Sequence, residues 1–203
     1  MFSASLFIPA VLASIIAYLV GSVSAAILIC RLMNLPDPRE TGSGNPGATN
    51  VLRVGGKLPA ALTLLGDALK GLLPVAITGL IVPHPPTVAL VAMAAFLGHL
   101  YPVFFDFRGG KGVATALGAL FGLSMQIGLL ATVSWLVICI AFRISSLAAL
   151  VTFTLVPFIL LTAGHTAFAI VYVVIAGFLV YSHRENIKRI LAGTEPKLGK
   201  KSK

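Results

Sequence analysis

Apolar runs long enough to cross a bilayer fill most of this chain, and they decide what it can fold into. The runs cover residues 4–30, 59–82, 87–104, 113–142, 144–162 and 165–181. A helix of about 20 apolar residues, rising 1.5 Å per residue, spans a hydrocarbon core of about 30 Å. Lipid offers backbone groups no partners, so such runs fold as helices that satisfy their own amides. Hydrophobic residues make up 58% of the 203 positions, charged residues 10%, and the mean hydropathy is +1.00. The chain therefore reads as a polytopic, all-α integral membrane protein forming one domain over 1–203. The first run has no cationic flank before it and is too long for a signal peptide, so it is read as a retained span.

The run 113–142 needs a decision. As one helix it would be about 45 Å long, whereas Gly122, Ser124, Gln126 and Gly128 supply a turn near its middle. Charge favours the turn. With the N-terminus outside and a hairpin here, the basic segments 31–57, Arg108, Lys111, Arg143 and the tail from Arg184 onward all face the cytoplasm. The expected architecture is about seven membrane helices, with the C-terminus cytoplasmic, the hairpin arms short or re-entrant, and 197–203 a flexible basic tail. The net charge of +9 follows largely from these inner loops, whose basic residues are expected for topology and for contact with anionic lipid. It gives no sign of nucleic-acid binding. Cys30 and Cys139 are too few and too dispersed for a disulfide framework or a metal cage.

Polar chemistry is confined to Gly-rich islands between the runs. The first reads Thr41-Gly-Ser-Gly-Asn-Pro-Gly-Ala-Thr-Asn50, with Arg53 following. Gly42 gives the backbone unusual freedom, Ser43, Asn45, Thr49 and Asn50 offer neutral donors, and Arg53 adds a forked cation suited to phosphate. The second runs Arg108-Gly109-Gly110-Lys111-Gly112 toward Thr115 and opens a new helix, where unpaired amides and Lys111 suit an anion. It lacks the Walker A spacing, so nucleotide hydrolysis is unsupported. Either island alone is more often an interfacial turn.

Further polarity lies elsewhere. Asp67 and Lys70 stand three apart on one helix face inside an apolar run, a costly arrangement that is either functional or a self-neutralising structural pair. His99 precedes the second island and is placed to order it by hydrogen bonding or to act in chemistry. His183 and Asn186 share a face where the last span leaves the membrane, while the charges around them read as a solvated helix end. No His, Cys, Asp and Glu spacing suggests a metal site.

Taken in order, residues 42–50, Gly66-Asp67 with Lys70-Gly71, Gly98-His99 with Pro102, 109–115, and His183-Arg184 with Asn186-Ile187 resemble the bacterial acyl-phosphate-dependent glycerol-3-phosphate acyltransferases, the PlsY family. Arg108 stands where that family commonly has Lys. The resemblance implies transfer of a fatty acyl group from acyl phosphate to the 1-hydroxyl of glycerol 3-phosphate at the cytoplasmic face of a bacterial inner membrane, without cofactor or metal. Membrane lipids and a soluble enzyme that produces acyl phosphate are the implied partners. Carried over by position, Ser43 and Arg53 resemble a phosphate site and Gly109, Gly110, Lys111 and Gly112 a phosphate loop. His183 and Asn186 resemble a pair that positions the acceptor, with Ser146 near it, and Glu195 resembles a structural acid.

No histidine here is an obvious base paired with a carboxylate. A substrate phosphate oxygen is therefore expected to help deprotonate the hydroxyl while Arg53 and Lys111 stabilise the leaving phosphate, with His183 or Asp67 as the rival base. The competing function is a transporter of a phosphorylated metabolite, against which stand the missing internal repeat and the gathering of polar residues at one membrane face, Asp67 and Lys70 excepted.

Overall fold

The computed structural model describes residues 4–198. The expected tail, 197–203, lies outside the described residues beyond Leu198. Ten α-helices follow in order: α1 Ala4–Gly21, α2 Ala25–Leu32, α3 Ala48–Gly55, α4 Lys57–Ile81, α5 Pro85–Leu100, α6 Val113–Leu123, α7 Met125–Phe142, α8 Ser145–Thr162, α9 Thr166–Ser182 and α10 Arg184–Leu191. Among the described residues no strand occurs. Among the described residues five segments are long and apolar enough to cross a membrane, and α9 joined to α10 across a 62° bend makes a sixth.

Each expected apolar run is largely helical, the run 87–104 only as far as Leu100, with two further differences of detail. The first run is broken, because α1 stops at Gly21 and α2 starts at Ala25, leaving the backbone of Ser22, Val23 and Ser24 outside both helices. The run 113–142 does divide, and the break falls at Ser124, whose extended backbone separates α6 from α7. The arms are unequal. With 18 residues α7 is a full span rather than a short arm, while the 11 residues of α6 give only about 16 Å.

Small residues bring the helices close. Lipid tails are as apolar as Leu, so helix association inside a bilayer depends on close packing rather than on hydrophobic burial. The interior accordingly holds Ala17, Ala92, Ala95, Ala116, Ala119, Ala148 and Ala149, while Leu, Ile, Val and Phe crowd the outer surface. Gly71 of α4 lies against the Thr115 carbonyl of α6, Gly118 of α6 against the Ala68 carbonyl, and Gly122 against the Leu72 carbonyl. A Cβ at any of these would enter a backbone oxygen, so α4 and α6 meet along a seam of glycine. Helix α5 is buried on several faces, through Val91, Ala92, Ala95, Phe96, Gly98 and His99. Tyr172 of α9 ties the centre by donating its hydroxyl to the Ala116 carbonyl at 2.7 Å, with Phe153 stacked on its ring.

Candidate functional site

The first island is a loop held by its own side chains. Asn50, in the first turn of α3, donates through Nδ2 to the carbonyls of Pro38 and Thr41 at 2.9 Å and accepts the Ser43 amide on Oδ1 at 2.8 Å. Gly42 has φ +62, and a Cβ there would strike Asn50 Oδ1, so only glycine closes this turn without strain. The fork of Arg39 clamps Asp37, with Nη2 to Oδ2 at 2.8 Å. The same guanidinium reaches Asp106 of the second island at 3.7 Å.

The second island leaves α5 through Pro102 and turns at Asp106 and Phe107, both with left-handed backbone. It then folds back onto the end of α5, where the Gly110 amide donates to the His99 carbonyl at 3.2 Å. Gly110 also lies beside the Pro46 carbonyl, so the two islands touch. Gly112, at φ +84 against Phe96, begins α6. Lys111 projects to α10 and donates Nζ to Asn186 Oδ1.

Behind this contact Glu195 is the hub. Ser146 and Asn186 donate to its Oε1 at 2.7 and 2.6 Å, and Arg189 donates to Oε2 at 2.7 Å. The segment carrying Glu195 is fastened to the start of α8, since the Leu198 amide donates to the Arg143 carbonyl at 2.7 Å and Arg143 Nη2 returns a bond to the Leu198 carbonyl at 2.8 Å. The first residues of the segment expected to be a loose tail are thus docked. In front lies a cavity of about 290 Å³ lined by Ser43, Asn45, Lys111, Ser182, Arg184, Glu185, Asn186 and Arg189.

The electrostatics of this recess favour an anion. Burial lowers the Lys111 pKa to about 8, helped by the charges of Arg189 and Arg53 and opposed by Glu195. His183 Nδ1 stands 2.8 Å from the Leu179 carbonyl and donates to it. Burial would raise Glu195, but the donors Ser146, Asn186 and Arg189 outweigh it and keep the carboxyl below its ordinary range.

The structure thus gathers Ser43, Asn45, Lys111 and Asn186 at one cavity, with Ser146 behind it through Glu195 and His183 buried at the start of α10. Arg53 stays exposed on α3, close enough to act on Lys111 by charge, and Thr49 is half-buried on the same helix. Arg108 is exposed, and Thr115 is buried in α6 with its hydroxyl unpartnered. Asp67, Lys70 and His99 form a separate buried cluster. Lys70 Nζ lies 2.8 Å from Asp67 Oδ1 and donates to the Val23 carbonyl at 2.9 Å, while His99 Nδ1 is 3.5 Å from the same carboxylate oxygen. Arg189, which residue type alone assigns to a solvated helix end, instead lines the cavity and holds Glu195. Its spacing of three from Asn186 on one helical face was the available signal.

A recess where Lys111, Arg184 and Arg189 gather with neutral donors, beside a bundle of membrane-spanning helices, defines a polytopic membrane protein with a predominantly cationic pocket. The family model for glycerol-3-phosphate acyltransferase matches residues 11–193. A glycerol-3-phosphate acyltransferase of Thioalkalivibrio sulfidiphilus is 54% identical over 188 residues, covering 92% of this chain and 93% of the relative. One from Methylococcus capsulatus is 52% identical over 186 residues, covering 91% and 94%. The crystal structure of PlsY, an integral membrane glycerol 3-phosphate acyltransferase, in its glycerol 3-phosphate form superposes with a TM-score of 0.90 at 39% identity, covering 94% of this chain and 96% of that one. Its lysophosphatidic acid form gives 0.87 at 38% with the same coverage. This chain belongs to the glycerol-3-phosphate acyltransferase family.

Proposed function

We propose that this protein transfers a fatty acyl group from acyl phosphate to the 1-hydroxyl of glycerol 3-phosphate, at the cytoplasmic face of a bacterial inner membrane. The acceptor oxygen attacks the acyl carbonyl carbon and the bond from that carbon to the phosphate oxygen breaks. The phosphate leaves with the electron pair and the hydroxyl proton, giving 1-acylglycerol 3-phosphate and inorganic phosphate.

The contact between Lys111 and Asn186 at the cavity carries this reading, because it joins the second island to α10 across a space that two phosphates would share. Lys111 and Arg53 stabilise charge on the leaving phosphate, with Ser43, Asn45 and the loop amides as neutral donors. Asn186 and His183 orient the acceptor. The proton passes to a phosphate oxygen, a role supported by the pairing of Asp67 with Lys70 away from the cavity. The basic loops on the site side support a cytoplasmic orientation. A soluble enzyme that makes acyl phosphate is the functional partner that such a donor requires.

Purified protein in detergent, given palmitoyl phosphate and glycerol 3-phosphate, is expected to release phosphate and form the lysophospholipid together. Neither product, combined with glycerol 3-phosphate uptake into sealed vesicles, would make the protein a transporter. His183→Ala is expected to weaken acceptor binding while leaving measurable turnover. Complete loss of turnover with unchanged acceptor affinity would restore His183 as the base.

A further inference from the structure

The Asp67, Lys70 and His99 cluster lies outside the cavity, yet it touches the second island at the two glycines before Lys111. His99 is 6% exposed and Asp67 2%, so both sit in the dry interior. Asp67 Oδ1 and His99 Nδ1 are both without an aligned hydrogen bond, although Lys70 balances the carboxylate charge. On its other side His99 meets the island twice. Its carbonyl accepts the Gly110 amide at 3.2 Å and lies against Gly109, and its ring Nε2 fills the space that a Cβ on Gly110 would occupy. Lys70 anchors the far end to the Val23 carbonyl, in the break between α1 and α2.

We propose that Asp67 and Lys70 hold the His99 ring, and that His99 is the positioning residue setting how residues 109–112 present their amides and Lys111 to a substrate phosphate. Asp67 fixes the ring from the Nδ1 side, and the ring fixes Gly110 from the Nε2 side. A charged pair inside the bundle is thereby linked through one imidazole to a loop at its rim. The phosphate part rests on the acyl-transfer reading above, whereas the coupling between His99 and Gly110 does not.

A double-mutant cycle on the full-length protein in detergent tests this. Gly110 has no positive φ, so alanine there meets chiefly the His99 ring and, at 3.0 Å, the Pro46 carbonyl. Gly110→Ala and His99→Ala are each expected to raise the KM of one phosphate substrate about tenfold, the scale of a lost hydrogen bond, with a smaller change in kcat. The double variant is expected to be no worse than Gly110→Ala alone, because removing the ring makes room for the new methyl. Single losses that multiply in the double variant would overturn the proposal, as would a His99→Ala defect that lowers kcat and thermal stability with KM unchanged.

Stabilisation of the same variants by inorganic phosphate, read as a shift in thermal midpoint, reports the coupling without turnover. If acyl transfer is absent but the phosphate shifts are non-additive, the functional reading fails and the coupling stands. Acyl transfer with additive phosphate shifts overturns the coupling and leaves the functional reading in place.

Discussion

Two lysine and carboxylate clusters sit on opposite sides of the second island and are built differently. In the interior, Lys70 touches Asp67 directly at 2.8 Å, and both are buried. At the rim, an amide is interposed: Lys111 donates to Asn186, and Asn186 donates to Glu195 at 2.6 Å. Direct contact cancels charge. The interposed amide lets Glu195 orient the assembly through Asn186 while the ammonium keeps its charge for an incoming anion.

Breaking the interior pair should have the largest effect. Asp67→Asn would leave Lys70 as a buried, unpaired cation and is expected to cost about 3–5 kcal/mol, read as a fall in thermal midpoint in detergent. Pairing it with Lys70→Met should recover most of that loss. At the rim, Lys111→Met removes the cation that the proposed reaction sets against the leaving phosphate and is expected to lower kcat about 100–1000-fold with little change in thermal midpoint. Asn186→Asp would set a carboxylate directly against Lys111, as in the interior pair, and would replace the Nδ2 donor to Glu195 by a second carboxylate oxygen. It should lower the rate about tenfold, as a carboxylate added beside Lys111 competes with the substrate anion.

The next effect is one of pH. Burial lowers the Lys111 pKa to about 8, with Arg189 and Arg53 contributing and Glu195 opposing. The side chain is a cation below that value and loses its charge above it, so the rate should fall as pH rises through about 8. Lys111→Arg should abolish that alkaline limb, and Glu195→Gln should move it to lower pH. The smallest expected effect is that of Ser146→Ala, which removes one donor from Glu195 and should cost about 1 kcal/mol, a few-fold in kcat.

Much of this is legible in the sequence because membrane solvation is a strong constraint. The apolar runs, the turn near Ser124 and the two islands can be read from residue type alone, as can Lys111 and Asn186 from their matched motifs. Contacts between distant segments cannot. Arg39 meets Asp106 and Arg143 meets Leu198 only after the helices have been arranged, and neither pair carries a local spacing. The break at Ser22–Ser24 escapes for a related reason. An apolar run with a few small hydroxyl residues reads as one helix until Lys70 is seen to use the freed Val23 carbonyl.

The glycine seam between α4 and α6 has a mechanical consequence. With Gly71, Gly118 and Gly122 each set against a carbonyl of the facing helix, α6 cannot slide or roll without driving a Cα into an oxygen. The loop that feeds α6 is therefore mounted on a stiff post, and the first island is braced separately, by the three hydrogen bonds of the Asn50 side chain. The two walls of the cavity thus take their shape from contacts made away from it, one from backbone packing between helices and the other from a single amide side chain.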